Sequence, residues 1–183
     1  LNAKRDFFEI KRKIAFTDKE SGTILTATPS DKYAIEVEID YNSEILGIQK
    51  ATISSIKEFN SEITSSRTFC FLHELEVLLA NNLIKGGDVN NAIVIVEEEI
   101  TEEKLNKLAT AFNKSDIKVG EGGVLNNLKL RHENEPARHK LLDVIGDLAL
   151  VGKPIKGKII AYKPGHKSNT EFAKQLKEIM KED

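Results

Sequence analysis

Residues 33 to 41 read Tyr33-Ala34-Ile35-Glu36-Val37-Glu38-Ile39-Asp40-Tyr41, with large apolar side chains alternating with small or acidic ones throughout. A period of two sends successive side chains to opposite faces, so this is a strand with one face in a core and the other in water. Strands of that kind belong to antiparallel sheets. Working outward, Phe8, Ile10, Ile14 and Phe16 alternate less strictly with charge, Ile24 and Leu25 follow Gly22, and a further short strand is expected near residues 48–53. The turns Asp18-Lys19-Glu20-Ser21-Gly22 and Pro29-Ser30-Asp31-Lys32 are short enough for hairpins, and a meander is the economical expectation.

Farther along, Phe71, Leu72, Leu75, Leu78 and Leu79 fall at helical spacing, which predicts a helix over 71–82. Gly86-Gly87 then forces a turn before Ala92-Ile93-Val94-Ile95-Val96, a β-branched run suited to a buried strand. Thr101 is placed to cap a helix with the stripe Leu105, Leu108, Ala109 and Phe112, which reads as an inserted surface helix. A glycine-rich loop at 120–127 and a short strand at 128–130 are expected next. Pro136 suits a helix N-terminus, and the apolar face Leu141, Leu142, Ile145, Leu148 and Ala149 runs to Gly152. A strand at 158–162 and a charged helix at 170–180 close the chain. The fold class this predicts is α+β, a two-layer α/β sandwich whose mainly antiparallel sheet is covered on one face by the helices near 72–81, 137–151 and 169–181. Residues 1–183 read as one domain with an inserted surface segment at about 97–127.

The 183 residues carry 27 basic and 29 acidic side chains, a net charge of −2, which argues against a nucleic-acid arm or a polybasic membrane anchor. Hydrophobic residues make up 40%, enough for a core without staples, and the single Cys70 leaves no intrachain disulfide. No apolar run approaches the roughly 20 residues of a transmembrane helix. With no signal segment either, the expected compartment is the cytoplasm, and the opening Leu1 suggests a piece of a longer polypeptide.

The chemistry concentrates in Arg138-His139-Lys140-Leu141-Leu142-Asp143-Val144-Ile145-Gly146-Asp147, where His139, Asp143 and Asp147 share one helix face. An imidazole and a carboxylate one turn apart can hold a zinc ion, and they can equally form a plain ion pair on a solvated helix. His166, after Pro164-Gly165, stands before the last helix and could act as a general acid or merely cap that helix. Thr68, in Ser66-Arg67-Thr68-Phe69, could stabilise an oxyanion or cap the helix behind it. His73 lacks a second histidine four residues on, so it reads as helix surface, and His132 reads as solvated.

Taken in order, Arg67-Thr68-Phe69, Gly86-Gly87 with Asn91-Ala92-Ile93-Val94, the 138–147 helix, and Gly157 with Ala161-Tyr162-Lys163-Pro164-Gly165-His166 resemble the C-terminal half of the UDP-3-O-acyl-N-acetylglucosamine deacetylase family, the zinc amidases of lipid A synthesis. The resemblance runs from about residue 7 to 181. It implies zinc as cofactor, His139 and Asp143 as metal ligands, Asp147 as the group that orients and ionises His166, His166 as the general acid that protonates the leaving amine or as a stabiliser of the oxyanion, and Thr68 as an oxyanion donor. Lys140 would meet the nucleotide diphosphate, Phe69 would contact substrate, and Tyr33 would lie near the uracil. An acyl passage would be built from Phe71, Leu72, Leu75, Ile84, Gly87, Ala92 and Val94, residues that ordinary core packing would also explain. The family's third zinc ligand and its general-base glutamate belong to an N-terminal half with no counterpart here. The chain would thus supply half an active site and be inactive alone. A 3-hydroxyacyl carrier-protein dehydratase fused behind it is a further partner that the resemblance allows. Two departures stand out: Cys70 sits where glycine is usual, and the 97–127 segment is longer than the family's hairpin, an addition expected to leave the chemistry alone. The competing functions are a nucleotide-sugar-binding module without catalysis and a metal-dependent phosphohydrolase, which needs more histidines than the four present.

Overall fold

A computed structural model describes residues 6–84, 88–120, 122–125 and 128–182. In chain order its elements are β1 (Phe8–Glu9), β2 (Ile14–Asp18), β3 (Thr23–Thr28), β4 (Tyr33–Ile39), β5 (Gln49–Ile53), α1 (Phe59–Glu62), β6 (Phe69–Phe71), α2 (Leu72–Ala80), β7 (Ile93–Ile95), α3 (Glu102–Ala111), α4 (Glu135–Leu148), β8 (Ile155–Tyr162) and α5 (His166–Glu182). Two compact units result: Leu1–Tyr41, Ile48–Ser66 and Ala137–Asp183 form one, and Asn42–Gly47 with Arg67–Pro136 the other.

The first unit carries the large sheet, in the order β2-β3-β8-β4-β5, with β1 paired to the start of β8. The hairpin β2/β3 and the pair β4/β5 are antiparallel, with Phe16 opposite Leu25 and Val37 opposite Ala51. β8 lies between β3 and β4, antiparallel to the first (Ala27 opposite Ile159) and parallel to the second (Val37 opposite Ala161). This corrects the meander: the turn at 29–32 joins strands that are not neighbours, and the sheet is mixed. The physical reason is that β8, with Ile155, Gly157, Ile159 and Ala161 all buried, satisfies both of its ladder edges only at the centre.

The alternation in β4 works as read. Ile35, Val37 and Ile39 are fully buried, while Glu36 and Glu38 face the wet side and pair with Lys158 (3.0 Å) and Lys50 (2.7 Å). On the dry side Leu141, Val144 and Leu148 of α4 and Phe172, Ala173 and Leu176 of α5 are buried, and Phe172 meets Phe16 with ring centroids 6.3 Å apart. The α+β, two-layer expectation holds in this unit. α5 begins four residues before the expected 170, so His166 is its first residue, and Gly152 closes the helical segment at φ 93°.

In the second unit β6 and β7 pair in parallel, Cys70 opposite Val94, which requires the crossover that α2 supplies. Leu72, Leu75, Val89, Val94, Val96, Leu108, Ala109, Ile117 and Leu125 make its core. α3 has the expected Thr101 cap, with Thr101 Oγ1 accepting from the Lys104 N–H at 3.3 Å. Most of this helix is exposed, while Leu108 and Ala109 sit in that core. The strand expected at 128–130 does not form. Gly86, Gly87, Asn126 and Asn127 lie outside the described residues.

Gly157 marks the tightest approach in the sheet. A Cβ there would stand 2.6 Å from Ile10 Cγ1, 2.9 Å from Ile10 Cβ and 3.1 Å from the Thr28 carbonyl oxygen. Gly157→Ala is expected to cost about 1–3 kcal/mol in denaturant unfolding, and adding Ile10→Ala, which removes the nearer clash, should make the alanine cheaper to bear in that background.

Candidate functional site

α4 presents its polar stripe from a partly buried face. The side chains of His139 and Asp143 are 17% and 9% exposed, so the pair stands on a partly buried face rather than a solvated one. His139 Nδ1 lies 3.2 Å from the Ser66 carbonyl oxygen. A carbonyl only accepts, so this hydrogen bond puts a proton on Nδ1, and in the neutral ring Nε2 is then the nitrogen that could ligate a metal. Nε2 is 3.5 Å from Asp143 Oδ1. One imidazole nitrogen and one carboxylate oxygen are thus close enough together for a single cation to be reached by both, a donor set that suits zinc. Among the described residues no group of three or more His, Cys, Asp or Glu side chains is arranged to hold a metal.

The other residues of the stripe are tied to the same place. Lys140 Nζ donates to Asp143 Oδ2 at 3.0 Å. His166 Nδ1 lies 2.9 Å from Asp147 Oδ2, while its Nε2 is 3.9 Å from Asp143 Oδ2, so the free nitrogen faces the His139–Asp143 pair. Asp147 Oδ2 also accepts from Asn169 Nδ2 at 2.9 Å, and Asn169 is fully buried. The first turn of α5 is pinned in turn by Ser168 Oγ donating to Asp18 Oδ2 (3.2 Å) and by the Asn169 N–H donating to the Gly165 carbonyl (2.8 Å). His139, Lys140, Asp143, Asp147 and His166 thus lie together, and Asn169 is a neighbour that the sequence reading did not name. Its only signal was a position one turn along the helix from His166.

Tyr33 stands elsewhere. It lines a cavity of about 390 Å³ with Phe7, Ile145 and Leu148, which contains none of those five polar residues. Burial pushes its phenol well above the ordinary tyrosine value.

The second unit holds a cavity of about 410 Å³. Of the residues expected to meet substrate, Thr68, Phe69, Leu75, Ile84, Ala92 and Val94 line it. Phe71 and Leu72 are buried beside it without forming its wall, Phe71 stacking on His73 at 5.7 Å, and Gly87 is outside the described residues. Thr68 does not cap α2: the cap position is Phe71, whose N–H donates to Glu74 Oε2 at 2.9 Å. Leu78, Leu83, Asp88, Val89 and Phe112 complete the lining and were not foreseen there, and Cys70, expected to narrow the passage mouth, lies among them. Burial, reinforced by Glu74, raises the Cys70 thiol to about 11, which keeps it protonated and inert at neutral pH.

Glu135 was not singled out by the sequence at all. Its carboxylate is fully buried and accepts from Arg67 Nε (2.8 Å), Arg67 Nη2 (2.9 Å), the Arg67 N–H (2.9 Å) and the Arg131 N–H (2.7 Å). Burial pushes its pKa up, but the Arg67 and backbone hydrogen bonds outweigh it and hold the group at about 2 against an ordinary 4.5.

The family described as LpxC, UDP-3-O-acyl N-acetylglycosamine deacetylase, matches residues 1–114 and 109–178. The chain belongs to this family. A bifunctional enzyme LpxC/FabZ of Bacteroides thetaiotaomicron is 46% identical over 176 residues, 96% of this chain and 38% of that protein. UDP-3-O-acyl-N-acetylglucosamine deacetylases of Syntrophotalea carbinolica and Aquifex aeolicus are 33% and 34% identical over 174 and 175 residues, 94% and 96% of this chain and 48% and 52% of those proteins. The chain therefore spans half or less of the length of most curated relatives it matches, the Aquifex protein lying just above that.

The depressed Glu135 value fixes the sign of a pH effect. The folded state favours the ionised form, so the stabilisation is present above pH 4.5 and drains away as pH falls toward 2. Glu135→Gln should cost about 3 kcal/mol at neutral pH, and the gap from wild type should close across that acid window in denaturant titrations.

Proposed function

We propose that this chain supplies the C-terminal part of the active site of a zinc-dependent deacetylase acting on UDP-3-O-acyl-N-acetylglucosamine in lipid A biosynthesis. The observation that carries the reading is the His139–Asp143 pair, with its tautomer set by Ser66 and its free donors 3.5 Å apart. A zinc ion held by these two and by a ligand from the rest of the longer polypeptide supplies Lewis acidity for hydrolysis of the N-acetyl amide. Family membership supports the substrate class.

Each remaining residue takes a task suited to its chemistry. His166, its Nδ1 proton held by Asp147, presents Nε2 as the nitrogen that delivers a proton to the leaving amine as the C–N bond breaks. Acetate and a free glucosamine amine result. Asn169 locks the Asp147 carboxylate from behind. Lys140 keeps a cation beside Asp143 and is proposed to meet the diphosphate. For Thr68 as oxyanion donor and Tyr33 as a uracil contact, the support is the family resemblance. The apolar cavity walled by Leu75, Ile84, Ala92 and Val94 takes the acyl chain, with Phe69 at its lining. With two zinc donors among its described residues, the chain by itself should be inactive. The reading includes a cytoplasmic location and, as the Bacteroides relative's name states for that protein, a FabZ portion in the same polypeptide. Among the described residues no helix is long and apolar enough to cross a membrane.

The test is acetate release by the longest native polypeptide containing this chain. His166→Ala should lower kcat by about 10²- to 10⁴-fold with little change in bound zinc, whereas His139→Ala should lower both activity and zinc content. Full activity in both variants would refute the residue assignment. Absence of turnover in wild type, with UDP-sugar still bound, would favour a binding module.

A further inference from the structure

One wall of the second unit's cavity comes from the segment that the family resemblance treats as surplus. α3 is fastened at both ends. Near its start Lys104 pairs with Glu76 of α2 at 2.8 Å, and just past its end Lys114 pairs with Asp88 at 3.3 Å. Between these ties, Leu108 and Ala109 are buried in the unit's core and Leu105 packs against it. Phe112 stops the helix, its N–H donating to the Leu108 carbonyl at 3.0 Å, and its ring lines the cavity. Asp88, the residue that Lys114 holds, is itself part of the lining. Helix, phenyl ring and the Asp88 turn are therefore braced together, and Phe112 and Asp88 are the parts of that assembly that reach the lining. The lining is otherwise almost wholly apolar, with Thr68 and Asp88 as its ionic or hydroxyl members, a composition suited to a chain of methylenes carrying a polar group at one end.

We propose that α3, through Phe112, sets the acyl-chain length this site accepts. The inference rests on the reading above that the cavity takes the acyl chain. A ring braced by packing and by two ion pairs yields little, so methylenes beyond the space it leaves stay in water. Each methylene the wall admits is worth roughly fourfold in apparent affinity. Removing the ring lengthens the cavity, and a larger ring shortens it.

The experiment measures kcat/KM of the longest native polypeptide containing this chain on UDP-3-O-acyl-N-acetylglucosamines of increasing chain length and on a substrate without the acyl chain. The same series is read as ligand-induced rises in Tm, which need no turnover. Phe112→Ala should move the optimum to longer chains, with a roughly tenfold gain on the longest substrate relative to the shortest. Phe112→Trp should move it to shorter ones. Phe112→Leu stands in for the alanine variant should that one fold poorly, and Leu78→Trp alters the α2 wall as a comparison. A shifted optimum in Leu78→Trp with none in the Phe112 variants overturns the role of α3 and leaves the acyl reading standing. If no variant shifts the optimum and the acyl-free substrate is handled as well as the acylated ones, the acyl reading itself fails.

Discussion

The first unit depends on one pairing constraint, the seating of β8 between β3 and β4. Both of its edges are bonded, antiparallel to one neighbour and parallel to the other, and β1 adds to its beginning. Because α4 leads into β8 and α5 leads out of it, the strand fixes where one helix ends and the next begins. Asp147 near the end of α4 and His166 at the start of α5, 19 residues apart in sequence, are thereby brought to hydrogen-bond distance. The close passage of Ile10 over Gly157 is a local cost of the same seating. The polar cluster in this unit is positioned by the sheet and the helices on it.

The second unit solves a different problem. Its parallel two-stranded sheet is too small to bury a face alone, and α2, α3 and the segment around Leu125 cover it. Glu135 fastens this unit's Arg67 and Arg131 segments with a fully desolvated carboxylate. A buried charge of this kind contributes specificity of position as much as stability, since the same four hydrogen bonds are unavailable in any other register.

What was legible in the sequence follows the range of the signal. Periodicity is local, so β4, α2, α3 and α4 could be read from Tyr33–Ile39, from the leucines of 72–79, from the Thr101 cap and from the 138–147 stripe. Strand neighbours are not local: nothing in residues 155–162 states that they part β3 from β4, and the meander was wrong for that reason. Leu128 and Leu130 alternate like a strand, but no ladder receives them. His139, Asp143 and Asp147 could be grouped because residues four apart share a helix face, whereas His166 joined them only through the family resemblance. Glu135 was invisible because its partner Arg67 is 68 residues away and a glutamate at a helix start ordinarily needs no further explanation. Phe112 looked like one more apolar position in a stripe, and only packing reveals that it faces a cavity.

The position of β8 also orders events during synthesis. Ribosomes deliver the chain from its N-terminus, so β2, β3, β4 and β5 all emerge before the strand that must lie in their midst. Until residues 155–162 leave the exit tunnel, β3 and β4 each keep an open edge, and the hairpin and the β4/β5 pair can form only as separate pieces. The sheet therefore closes late, around a gap held for β8, and β3 and β4 expose two sticky edges while the residues between them and β8 are being made.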